Sequence, residues 1–343
     1  MSTDVQGAQA HTENGWRERA IFRFGAGVAT AMMLAASFEW SLAMITPIFV
    51  AMLLGPPGVR LPHGAYAKLL IGVGLTFAVG IGLVVILPFA LVFVPLQTLL
   101  LFLTFYRAER GLNPLIVVML LIAILMFPAL GLMDRNVAID FALGFLGSLA
   151  IALTLCSLFY AWIPSGPAPA KPAPVLPSEA VAYRNAWLST LLVLPLLLFF
   201  YLTDRSGDLL VLVLVAILSQ SPGLEAGSKA GMGMILANLL GGAVAMLFYN
   251  LLVAVPMWLF FAALMWLTAL LFGLGMFSSP KGKILATGFT TLLILIGSTT
   301  FSGGGDAGEK LILRIAQMLA ATGYLAFGAW VMTALGWIAR SSD

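Results

Sequence analysis

The sequence predicts an all-α integral membrane protein of about twelve transmembrane helices, arranged as two parallel six-helix repeats. Hydrophobic residues fill 61% of the 343 positions and charged residues only 9%, against roughly 45–50% and about 25% in soluble domains. No soluble core could hide that much apolar surface. The apolar residues also fall in runs close to the ~20 that a helix needs to cross about 30 Å of hydrocarbon. Lysine and arginine gather in alternate connections between those runs, as the positive-inside rule requires.

Cutting the chain at charges, prolines and glycine clusters gives the elements in order. A polar cytoplasmic tail, residues 1–20, leads into a first repeat over 21–163 with spans near 21–38, 41–55, 66–87, 88–106, 113–132 and 138–163. The first apolar run ends in Ala35-Ala36-Ser37, which imitates a signal-peptidase site, but we read it as an uncleaved span whose Arg23 snorkels to the surface. Residues 164–182 form a linker, because the prolines from Pro164 to Pro174 forbid a helix interior and favour an extended chain. A second repeat over 183–343 holds spans near 183–203, 207–221, 229–252, 254–274, 283–301 and 311–338. The cuts at Pro88 and near Val253 carry no charge to mark them.

With a cytoplasmic N-terminus, thirteen lysines and arginines fall inside and four outside: Arg135, Arg205, Lys310 and Arg314. This asymmetry predicts a multi-pass protein of a bacterial inner membrane with both termini cytoplasmic. Shifting the chain by 165 places Arg19 on Arg184 and Pro57-Gly58-Val59 on Pro222-Gly223-Leu224. Six crossings per half leave the orientation unchanged, so the repeats are expected to be parallel.

Several chemistries are excluded from expectation. The lone Cys156 and the separated His11 and His63 offer no metal-ligand spacing. Gly282-Lys283 lacks the upstream glycine of a phosphate-binding loop, so no nucleotide or other cofactor is expected. No clustered acid, base or nucleophile suggests an enzyme. The scattered basic residues form no nucleic-acid surface.

What remains is polar chemistry inside apolar helices. The second span of each half, Ser41–Gly55 and Ser206–Gln220, is only about 15 residues long, or roughly 22 Å. Paired short spans point to a central binding site in repeat transporters, which singles out Thr46 and Pro47 in one and Ser219 and Gln220 in the other. The plainer reading is two tight hairpins in a thinned bilayer. Asp140 and Arg314 sit at comparable depth in the sixth and twelfth spans. A charge costs about 2.5–3.5 kcal/mol at the bilayer centre, so such residues tend to face protein or water. We expect them to share a path with Gln317 and Asn238, Arg314 attracting an anion and Asp140 exchanging protons; the plainer reading puts both at the outer interface. Ladders of small residues, Gly74/Ala78/Gly82 and Gly233/Ala237/Gly241/Ala245, should allow close helix approach.

The arginine-led first helix Arg23-Phe24-Gly25-Ala26-Gly27-Val28-Ala29 resembles the opening of the fusaric acid resistance and aromatic acid exporter superfamily. So does the proline-glycine turn followed by a basic, glycine-rich helix: Gly55-Pro56-Pro57-Gly58 with Lys68 to Gly74, and Pro222-Gly223 with Lys229 to Gly242. Arg314 opening the last helix is similar too. The resemblance implies ion-gradient-driven export of small, often aromatic, carboxylic anions with a periplasmic adaptor (membrane fusion) protein, and is compatible with a homo-oligomer. Larger relatives carry a soluble domain after each membrane half, whereas here a Pro-rich linker and a short tail stand in those places. The competing expectation is a membrane scaffold or assembly subunit that transports nothing.

Overall fold

The computed structural model describes residues 2–166, 176–203, 209–219, 224–279, 281–301 and 307–334. Every regular element among them is helical, and there are twelve: α1 (Ser2–Phe38), α2 (Ile45–Leu54), α3 (His63–Ile86), α4 (Ala90–Glu109), α5 (Pro114–Met133), α6 (Arg135–Trp162), α7 (Glu179–Thr203), α8 (Leu209–Leu218), α9 (Leu224–Ala254), α10 (Trp258–Ser278), α11 (Gly282–Phe301) and α12 (Ala307–Ala334). All twelve stand where the hydropathy runs put them, and the unmarked cuts fall at 87–89 and 255–257. Eight of the helices are long and apolar enough to cross a membrane. The polar tail differs from expectation, since α1 continues through it from Ser2; the apolar portion begins at Gly15.

Local chemistry explains the boundaries. Asn113 caps α5 by accepting from the Leu115 amide at 2.9 Å, and Pro114 takes the first helical position, where a missing N–H costs nothing. Gly58 adopts φ +68° after α2, and a Cβ there would press on Phe277 and Ala20. Glycine alone meets both demands.

The chain forms two compact units. The first comprises residues 1–67, 144–171 and 236–312. In it α1 packs on α2 and α10, α10 on α11, and α11 on α2. Gly25 of α1 admits Leu270 and Trp266 of α10, and Phe24 stacks obliquely on Phe289 of α11 with centroids 5.3 Å apart. Glycine also sets the α9–α11 crossing: a Cβ on Gly241 would overlap the Gly288 carbonyl.

The second unit comprises residues 68–143, 172–235 and 313–343. Here α7 packs on α8 and α4, α4 on α5, and α5 on α8. The centre is α5, whose Leu121, Ile124 and Leu125 are wholly buried. Against it α3 brings Gly80, where a Cβ would stand 2.8 Å from the Ala123 carbonyl oxygen. The expected ladder on α3 is therefore out of phase. Gly74 and Gly82 face open space, Ala78 is exposed, and Gly72 and Gly80 make the approach to α5 instead.

Candidate functional site

In hydrocarbon a polar group without a partner costs several kcal/mol, so each buried one must find a bond within the protein. The polar side chains of the spans collect in a few such places.

The most built of them lies in the second unit, among α4, α5 and α7. Pro128 interrupts α5 and has no N–H, which leaves the carbonyl of Ile124, four residues earlier, without its helical donor. Gln97 of α4 fills that need: its Nε2 donates to the Ile124 carbonyl at 2.7 Å and to the Tyr201 hydroxyl of α7 at 2.9 Å. Because a carbonyl can only accept, these bonds fix which end of the amide is nitrogen. Among the described residues the Oε1 of Gln97 is then a buried acceptor without a partner, on a residue that is 1% exposed. Phe93 meets the Tyr201 ring edge-on at 5.8 Å. Two further prolines, Pro95 and Pro195, interrupt α4 and α7, and Tyr324 of α12 donates to the Leu192 carbonyl close to the second, at 2.8 Å. Sequence reasoning missed this cluster; the signal was a solitary glutamine in the middle of an apolar run.

The first unit holds a clamp at Arg23. The snorkelling expected of this residue does not occur, since it is only 1% exposed. Its Nη1 donates to the Ile163 carbonyl at 2.8 Å and its Nη2 to the Gly58 carbonyl at 2.7 Å. The guanidinium also lies 4.1 Å from the centroid of the Tyr160 ring, a cation–π distance. The fork gains more from two peptide carbonyls at the ends of α6 and α2 than from reaching for water. One cation thus ties α1 to the residue that follows α6 and to the connection after α2.

At the C-terminal end of α1 the turn into α2 is strained. Glu39 and Leu42 hold φ of 45° and 60°, a region that non-glycine residues rarely adopt. Ser148 of α6 supports that turn: its Oγ accepts from Trp40 Nε1 and donates to the Leu42 carbonyl, each at 3.0 Å. Trp40 is part of this brace.

The candidates from sequence are placed as follows. Thr46 and Pro47 are buried in the first turn of α2, with Thr46 Oγ1 3.4 Å from the Ser148 carbonyl. Asn238 is buried in α9 and accepts from Thr291 of α11 at 2.6 Å. Ser219 is buried at the end of α8, its carbonyl accepting from Ser189 of α7 at 2.6 Å. Asp140 is exposed on α6 and has no salt bridge among the described residues. Gln317 is part-exposed on α12. Gln220 and the side chain of Arg314 lie outside the described residues, as do the expected loops at 204–208 and 302–306. Thr46, Pro47 and Asn238 belong to the first unit; Asp140, Ser219 and Gln317 belong to the second. Among the described residues no group of His, Cys, Asp and Glu is arranged to hold a metal.

Residues 20–159, from α1 into α6, match the profile of a family described as a protein of unknown function (DUF2955). No curated protein and no solved structure matches the chain.

Proposed function

We propose that this chain is a secondary efflux transporter of a bacterial inner membrane, built on two parallel repeats and carrying small organic anions of the aromatic carboxylic type. The reading is carried by one observation: the contacts of α1, α2, α10 and α11 in the first unit recur in α7, α8, α4 and α5 of the second, each element shifted by six. Parallel repeats of this kind are a transporter architecture. The paired short helices agree with it, because α2 and α8 have 10 residues each, roughly 15 Å of helix and half a hydrocarbon core. The proline-interrupted spans α4 and α7 supply polar backbone of the sort a substrate path requires. The resemblance to aromatic acid exporters names the substrate class, the ion gradient and the periplasmic adaptor; Arg314 and Asp140 are the proposed anion-attracting and proton-exchanging groups.

The test is retention of labelled aromatic acids by cells with and without the chain, the adaptor co-expressed. Lower retention in expressing cells supports transport, and its loss in Arg314→Ala and Asp140→Asn supports their roles. Equal retention with and without the chain leaves the scaffold reading standing. Full efflux in both variants removes the two residues from the path.

A further inference from the structure

We propose that the first unit carries a binding site for one anionic diacyl phospholipid, with an acyl chain in a groove between α9 and α10 and the headgroup phosphate on Lys281. This site is separate from the proposed transport path.

The groove lies between α9 and α10, which meet at one end of it. There Phe248 meets Phe261 edge-on at 5.9 Å. Toward the other end α9 turns to α11, where Gly241 crosses Gly288. Between these points lies a cavity of about 410 Å³ whose floor is Phe248, Thr268 and Phe272, each at most 7% exposed. Its rims are leucines left open, among them Leu247 at 59% and Leu267 at 52%. From Leu240 to Leu251 the lining of α9 runs twelve residues, roughly 16 Å of helix, which is about the depth of one leaflet.

Charge selects the occupant. The groove reaches Leu285 in the first turn of α11, and the Leu285 amide bonds back to the Lys281 carbonyl at 3.2 Å. Residues four apart on such a turn share a face, so Lys281 stands beyond the groove mouth. Lys281 and Lys283 are exposed and have no salt bridge among the described residues. A cation at the mouth of an apolar slot is the arrangement that holds an anionic headgroup. A second groove of about 520 Å³ lies between α1 and α10. Phe22 and Trp266 close one end of it at 6.0 Å, and the other end, at Ser37, lies beside Glu39.

The test uses the full chain in mild detergent, offered equal amounts of phosphatidylglycerol and phosphatidylethanolamine with identical acyl chains, with retained lipid read by native mass spectrometry. The wild-type chain should keep the anionic lipid in preference, by about fivefold for each lysine engaged. Lys281→Ala with Lys283→Ala should bring the two lipids level, while arginine at both positions should keep the preference. Leu267→Trp, which fills the groove, should lower retention of both lipids together. Equal retention by the wild-type chain, a preference that survives the double alanine variant, or a lipid-free dimer covering the groove would each overturn the proposal.

Discussion

Gln97 Nε2 stands 2.7 Å from the carbonyl oxygen of Ile124, the acceptor that Pro128 leaves without a helical donor. The two residues lie on adjacent helices, and each accounts for the other. A glutamine in an apolar span is expensive unless something inside needs its amide, and a proline in α5 is tolerated because something supplies the lost bond. Gln97→Leu should therefore destabilise the protein by about 0.6–1.7 kcal/mol, the range for hydrogen bonds between membrane helices. In a Pro128→Ala background the helix regains its own donor, and the same substitution should cost much less. Unfolding of the four proteins in detergent forms a cycle that measures this coupling; equal costs in both backgrounds would refute the pairing.

Replacing Arg23 tests the clamp on α1. Arg23→Ala removes two bonds donated by a cation, each worth about 1.5–3 kcal/mol, so a loss of roughly 3 kcal/mol or more is expected in the same unfolding assay. Arg23→Lys should recover only part of it, because an ammonium cannot span the Gly58 and Ile163 carbonyls as the planar fork does.

The glycines divide by what they face. Gly241→Ala would drive a methyl group into the Gly288 backbone and should cost about 1–3 kcal/mol. Gly74→Ala and Gly82→Ala meet nothing within 4 Å, so each should be neutral or gain up to about 1 kcal/mol of helix propensity. Melting temperatures of the three variants decide it.

Orientation is tested by labelling single cysteines in a Cys156→Ala background. An impermeant maleimide should modify Asp134→Cys in intact cells, and Leu61→Cys only after the membrane is opened. The reverse pattern would invert the proposed topology.

The helices were legible because bilayer thickness acts on each run separately: an apolar stretch must be about long enough whatever surrounds it. Features that depend on a neighbour were not. Arg23 could reach water or reach carbonyls, and its acceptors lie 35 and 140 residues away in the chain. The spacing of Gly74, Ala78 and Gly82 is right for close packing, yet α5 lies against the face of Gly72 and Gly80. Spacing fixes a stripe but not which stripe meets a partner. Thr46, Ser219 and Asn238, named from the sequence as polar groups in apolar helices, are each buried with a bond inside their own unit.

Each compact unit draws its segments from both sides of the 164–182 linker, and this has a consequence during synthesis. When the ribosome reaches residue 171, α1 and α2 are made, but α10 and α11, against which they pack, are not yet translated. The faces of Phe24 and Gly25 must wait in lipid until Phe289 and Leu270 arrive. Neither half should mature alone, and two separately expressed halves should be rescued from proteolysis only when present in the same cell.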